Sequence, residues 1–113
     1  MGDWVVDRKK LPNGLENLIQ TADRNGIKFG IWIEPEAVNS KSELFEKHPD
    51  WALQVKGRPL QYGRGGTQML LDVCNPEVQD FMFGIVDNLL GKHPQIAYIK
   101  WDANVELKNY GST

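Results

Sequence analysis

The chain has 113 residues and a formal net charge of −2. That length suits one small domain, and that charge excludes the electrostatic footprint of a nucleic-acid binder or of a protein drawn to anionic membranes. Cys74 is its one cysteine, which excludes an internal disulfide and a multi-cysteine metal site. No apolar run approaches a membrane span, and no charged segment followed by an apolar one opens the chain as a signal peptide would.

Residues 1–13 read as a loop ending at Leu11-Pro12-Asn13-Gly14. Leu15, Leu18, Ile19 and Ala22 then recur at helical spacing, with Asn13 as the expected N-cap and Gly26 as the stop. Residues 27–34 read as a buried strand: Phe29, Ile31 and Ile33 share one face, and Lys28, Gly30, Trp32 and Glu34 the other. Pro35 ends it, because proline cannot donate to a ladder. Ser40 to Glu43 fits a capping box for a short helix that runs to His48 and stops at Pro49.

Trp51 to Val55 is expected to form a short strand, Lys56-Gly57-Arg58-Pro59 a turn, and Tyr62 to Thr67 a glycine-rich loop. Gln68 to Asp72 is expected to pair back as a hairpin strand. Asn75 caps the longest helix, Pro76 occupies its first turn, and Val78, Phe81, Met82, Ile85, Val86 and Leu89 make its apolar stripe up to Gly91. Residues 96–102 form the next strand, and the tail to Thr113 is polar. The order helix, strand, excursion, helix, strand implies a right-handed parallel crossover. Two such strands and two main helices can neither close a barrel nor cover a sheet, so the expected fold is part of a larger α/β architecture.

The strongest chemical constellation is Lys100-Trp101-Asp102-Ala103-Asn104. Alternation puts Lys100 and Asp102 on one face and Trp101 on the other, with Asn104 continuing the first if the chain stays extended. A carboxylate at a strand's C-terminal end can serve as nucleophile or base, and a neighbouring lysine keeps it ionised. An ion pair at a solvated strand end fits the same spacing, and spacing alone leaves both readings open. Glu34-Pro35-Glu36 puts further carboxylates at the end of the other strand. Glu34 could join a site, whereas Glu36 is expected to cap or solvate the next turn. Gly63-Arg64-Gly65-Gly66 lacks the strand-before, helix-after context of a phosphate loop. Arg64 could still donate to a ligand, although a surface turn is the default. His48 and His93 read as helix-end residues, and Cys74 as a packing residue. Trp4, Trp32, Trp51 and Trp101 bury area and also offer flat platforms for sugar rings. Most are expected in the core, with one or two outside it.

Five segments in order resemble the retaining α-galactosidases of glycoside hydrolase family 36, the melibiase type. Gly2-Asp3-Trp4 with Asp7 and Lys10-Leu11-Pro12-Asn13-Gly14-Leu15 resembles the family's GDW…D…K-F/L-P-x-G-L segment. Lys28-Phe29-Gly30-Ile31-Trp32-Ile33-Glu34-Pro35-Glu36 resembles K-F-G-L-W-x-E-P-E, and His48-Pro49-Asp50-Trp51 resembles H-P-D-W. Gly63-Arg64 through Gln68-Met69-Leu70-Leu71-Asp72 resembles the G-R…Q-x-x-L-D loop and strand. Lys100-Trp101-Asp102-Ala103-Asn104 resembles K-W-D-x-N. Each segment alone is weak; the ordered set is specific and covers nearly the whole chain.

The resemblance implies a (β/α)8 TIM barrel. Residues 1–113 would be an incomplete segment of its single catalytic domain, with 27–34 as the third barrel strand and 96–102 as the fourth. It implies Asp102 as the catalytic nucleophile, and Trp32, Arg64, Lys100 and Asn104 as substrate-binding residues for an α-galactoside. It implies no metal or organic cofactor. Ala103 and Val105 stand where the family often carries Met and Arg, and Gly65-Gly66 extends the loop, so leaving-group preference is where departures are expected. The family's aspartate pair and its acid/base aspartate are absent, so the isolated chain is expected to be inactive. Two alternatives remain open: a non-catalytic carbohydrate-binding fragment, and a related clan member that acts on α-N-acetylgalactosaminides or transfers galactose. Unpaired strand edges lead to an expected self-association of the fragment.

Overall fold

The computed structural model describes residues 1–105 and Gly111; the polar tail expected after the last strand lies largely outside the described residues. Seven regular elements follow one another: α1 (Gly14–Arg24), β1 (Phe29–Ile33), β2 (Ala37–Asn39), α2 (Glu43–Lys47), β3 (Gln68–Leu70), α3 (Pro76–Lys92) and β4 (Ile96–Trp101). Short 3-10 turns occupy Pro49–Trp51 and Arg64–Gly66.

β1 and β4 pair in parallel, with Gly30 beside Tyr98, Ile31 beside Ile99, Trp32 beside Lys100 and Ile33 beside Trp101, after a shift between Phe29 and Gly30. α1 lies against β1. Its Ile19 is buried, and Gly26, at φ +67°, reverses the chain into the strand as a glycine after a helix does. Asn13 stands at the expected cap position, but its side chain makes no capping bond. Buried His93 stands at the C-cap of α3, 4.0 Å from Glu16 of α1.

The excursion between β1 and α3 forms a second layer with its own core. β2 pairs antiparallel with β3, placing Ala37 beside Leu70 and Asn39 beside Gln68. A single antiparallel bridge joins Ala52 to Leu71. Val38, Leu44, Trp51, Ala52, Met69, Leu71 and Val78 close this core, and Phe45, Leu60, Phe81 and Met82 pack around it. The N-terminal half of α3 therefore packs on the excursion. The Cα radius of gyration is 16.0 Å, against roughly 13 Å for a compact domain of this length. The extents of 54 × 26 × 24 Å show the elongation behind the excess.

Several expectations change. The helix expected from Ser40 is capped by Ser42 instead, whose hydroxyl accepts from Phe45 N at 3.2 Å. The N-terminal segment explains the choice, since Asp3 reaches across to accept the Leu44 N–H at 2.7 Å. Trp51 belongs to a 3-10 turn, not a strand, because Pro49 and the His48–Trp51 stack favour a tight turn there; those rings lie 4.0 Å apart. The strand at Gln68 pairs with β2, an element too short to show a period in sequence. α3 passes through Gly91 to Lys92. Cys74 is exposed, so it fills no packing role. Of the four tryptophans only Trp51 is buried, which reverses the expectation that most lie in the core.

Candidate active site

The C-terminal ends of β1 and β4 meet at one rim. The Asp102 N–H donates to Ile33 O at 2.9 Å, which carries the parallel pairing one residue beyond β4. Because Trp32 and Lys100 are register neighbours on the same face, both converge on Asp102. The Trp32 indole N–H donates to Asp102 Oδ2 at 2.8 Å, and Lys100 Nζ stands 3.5 Å from the same oxygen. The aspartate side chain stays partly open to solvent at 28% exposure, so an incoming ligand can meet it.

These contacts lower the Asp102 pKa from 3.8 to about 2. The Trp32 hydrogen bond is the largest cause and the Asn104 side chain the next; desolvation, which opposes them, comes third, ahead of the Lys100 charge. The sequence assigns the ionising role to Lys100. The geometry moves it to the indole, because an exposed ion pair is screened by water while a short, directed hydrogen bond is less so.

Asn104 adds a second tie. Its backbone N–H donates to Glu34 Oε1 at 3.0 Å, and Glu34 is fully buried at the end of β1. Glu36 faces the other way and accepts from the Trp101 indole at 2.9 Å, so it is neither a simple cap nor a solvated turn residue. Arg64 lies exposed in the second 3-10 turn and, among the described residues, makes no hydrogen bond or ion pair with Asp102. Its neighbour Gly63 approaches Val105, whose Cγ1 is 3.5 Å from where a Cβ would stand. The loop thus borders the segment leaving the site.

Sequence reasoning missed the part played by Trp4. Its ring centroid lies 6.4 Å from that of Trp32, tilted by 42°. Its backbone sits at φ +49°, a conformation side chains other than glycine rarely adopt. The only signal for it was its place in the Gly-Asp-Trp match, since nothing in local periodicity links residue 4 to residue 32. Gly2 makes the approach possible: at φ +122° it passes so close to α2 that a Cβ would meet Ser42 Oγ at 2.8 Å.

An oriented, ionised and accessible carboxylate at the C-terminal end of parallel strands, held by the Trp32 indole, can attack an electrophilic carbon or stabilise a cation. The melibiase family model matches residues 1–113. The α-galactosidase AgaA of Geobacillus stearothermophilus is 44% identical over 113 residues, all of this chain and 15% of that protein. The α-galactosidase of Escherichia coli is 43% identical over 111 residues, which cover 98% of this chain and 15% of the relative. A crystal structure of a Geobacillus stearothermophilus AgaA variant in complex with stachyose superposes with a TM-score of 0.91 at 43% identity, covering 100% of this chain and 15% of that one. The chain thus spans about 15% of the length of the relatives it matches. With the family pattern matched from the first residue to the last, the chain belongs to the melibiase family.

Proposed function

We propose that residues 1–113 are a segment of the catalytic (β/α)8 barrel of a retaining α-galactosidase, with β1 and β4 as neighbouring barrel strands and Asp102 as the nucleophile. The observation that carries this is the Asp102 carboxylate itself. It is held by Trp32 at 2.8 Å, lowered to a pKa of about 2, and left open to solvent at a strand's C-terminal end. Barrels place their chemistry at that end. The pairing of β1 with β4 across an intervening helix is the connection a parallel barrel uses.

In this reading the Asp102 carboxylate attacks the anomeric carbon of a terminal α-galactoside. A C–O ester bond forms as the glycosidic C–O bond breaks, and an acid elsewhere in the enzyme protonates the departing oxygen. Water then attacks the same carbon, gives its proton to that group, and releases galactose with retained configuration. Retaining enzymes hold the two carboxyl groups about 5–5.5 Å apart. Neither Glu34, which is fully buried, nor Glu36, which is bonded to Trp101, suits proton donation to a leaving group. In this reading the acid/base comes from another part of the enzyme, as the family resemblance implies.

Trp32, Lys100, Asn104 and Arg64 are the proposed sugar contacts. Trp32 offers its ring while its N–H holds Asp102, and Lys100 and Asn104 supply donors to hydroxyls on either side of the nucleophile. Arg64 acts from the loop bordering Val105. Crystal structures of similar AgaA variants contain stachyose and raffinose, which supports galacto-oligosaccharides as the substrate class.

Replacement of Asp102 by Gly in the full-length enzyme tests the assignment. Turnover of an aryl α-galactoside should fall on the order of 10⁴-fold, the scale of removing a catalytic group. Added azide should restore it by forming β-galactosyl azide, because azide then attacks from the vacated face. Retained activity without azide would exclude Asp102 as nucleophile and favour a carbohydrate-binding role.

A further inference from the structure

Glu34 is a fully buried carboxylate that the reaction does not use directly. One oxygen, Oε1, accepts the Asn104 N–H at 3.0 Å; the other, Oε2, is buried without a hydrogen-bond partner among the described residues. Burying a carboxylate is costly unless its bonds bring a return in structure or function. Core packing gives no reason for one here, since a leucine or methionine would fill the space without that penalty.

The return lies in what the bond fixes. Residues 102–105 have left regular strand structure, and two hydrogen bonds donated by their main-chain N–H groups hold them to the end of β1. Asp102 N donates to Ile33 O at 2.9 Å, and Asn104 N donates to Glu34 Oε1 at 3.0 Å. The Asn104 side chain is in turn the second-largest influence that lowers the Asp102 pKa. A hinge between Asp102 and Asn104 would otherwise let that amide swing away from the carboxylate it orients.

We propose that Glu34 is a positioning residue for Asp102: by pinning the main chain at Asn104, it holds the Asn104 amide on the carboxylate and so sets its direction of attack. This rests on the reading of Asp102 as nucleophile. Among the described residues Glu34 makes no hydrogen bond to Asp102, and it acts through its bond to Asn104, itself a proposed sugar contact.

The test uses three variants of the full-length enzyme. Glu34→Met keeps length and apolar fit but removes the acceptor, whereas Glu34→Ala risks a cavity that unfolds the site. Glu34→Met should lower kcat by about 10- to 100-fold, the scale of a modest misplacement of a reacting group, with the melting temperature retained. Glu34→Gln keeps an acceptor at Oε1 and should recover most of that kcat. In an Asn104→Ala background the amide that Glu34 positions is gone, so Glu34→Met should cost less than threefold further in kcat. Equal losses from Glu34→Met in both backgrounds, or no recovery in Glu34→Gln, would overturn the proposal. So would a Glu34→Met enzyme with unchanged kcat. Azide rescue of Asp102→Gly is read separately. If it fails, the nucleophile assignment fails; if it succeeds while the Glu34 effects are additive, only the positioning role falls.

Discussion

The two lobes of this chain solve opposite problems. The excursion from Ala37 to Asp72, with the first turns of α3, encloses its apolar residues: Val38, Met69, Leu71 and Val78 are all nearly inaccessible. The β1–β4 pair encloses little. Beyond Ile33 and Ile96 its residues are half-buried or exposed, Tyr98 at 66% and Trp101 at 48%. Yet the polar contacts of chemical interest gather on this open pair. Stability and chemistry are thus separated: the excursion is packed by its own residues, while the sheet end carries an organised carboxylate on strands that have one neighbour each among the described residues.

The largest expected effect breaks the packed lobe. Met69→Ala should destabilise the protein by about 2–5 kcal/mol, as a buried large-to-small change does, read by chemical denaturation. A cost below about 0.5 kcal/mol, the level of surface substitutions, would mean that the excursion core is not closed. Next comes the open lobe. Trp32→Phe keeps the ring and removes the N–H, so kcat of the full-length enzyme should fall roughly 10- to 100-fold with little change in melting temperature.

The pH dependence sharpens the same point. The Asp102 pKa is lowered in the folded chain, so its contribution to stability is complete above its ordinary 3.8 and is lost as pH falls through about 2. Removing the indole donor in Trp32→Phe should raise that pKa toward 3.8, which carboxylate NMR titration reads directly. An unshifted titration would assign the depression to another group.

Helix capping gives a smaller effect. Asn75 accepts the Glu77 N–H at 2.9 Å, and Asn75→Ala should cost about 1 kcal/mol in the same denaturation series. The smallest concerns exposed surface. Phe83 is 71% exposed on α3, and Phe83→Ser should change folding stability by no more than about 0.5 kcal/mol. The isolated chain is expected to self-associate through the uncovered edges and faces of β1 and β4, which light scattering measures; a cooperatively melting monomer would contradict this.

What could be read in the sequence divides along the same line. Local signals were sufficient for α3, where Asn75, Pro76 and a helical stripe agree, and for the alternation that puts Lys100 and Asp102 on one face of β4 and Trp101 on the other; the register that brings Trp32 to them came only with the pairing of the strands. They failed where distant segments decide. β2 is three residues long and exists because Gln68–Leu70 pairs with it. Ser42 prevails as cap because Asp3 completes that helix start from 41 residues away. Trp4 meets Trp32, Trp101 meets Glu36 and Asn104 meets Glu34 only once the strands have docked. The face of each strand residue followed from parity, but the donor that lowers Asp102 did not, since parity carries no distances.

The most direct test of the central assignment is to trap the covalent intermediate. The full-length enzyme is treated with a fluorinated galactoside whose glycosyl-enzyme hydrolyses slowly, then digested and analysed by mass spectrometry. A single fluorogalactosyl adduct on the peptide that contains Asp102, located at that carboxylate, is the predicted result. An adduct on a different carboxylate would contradict the account.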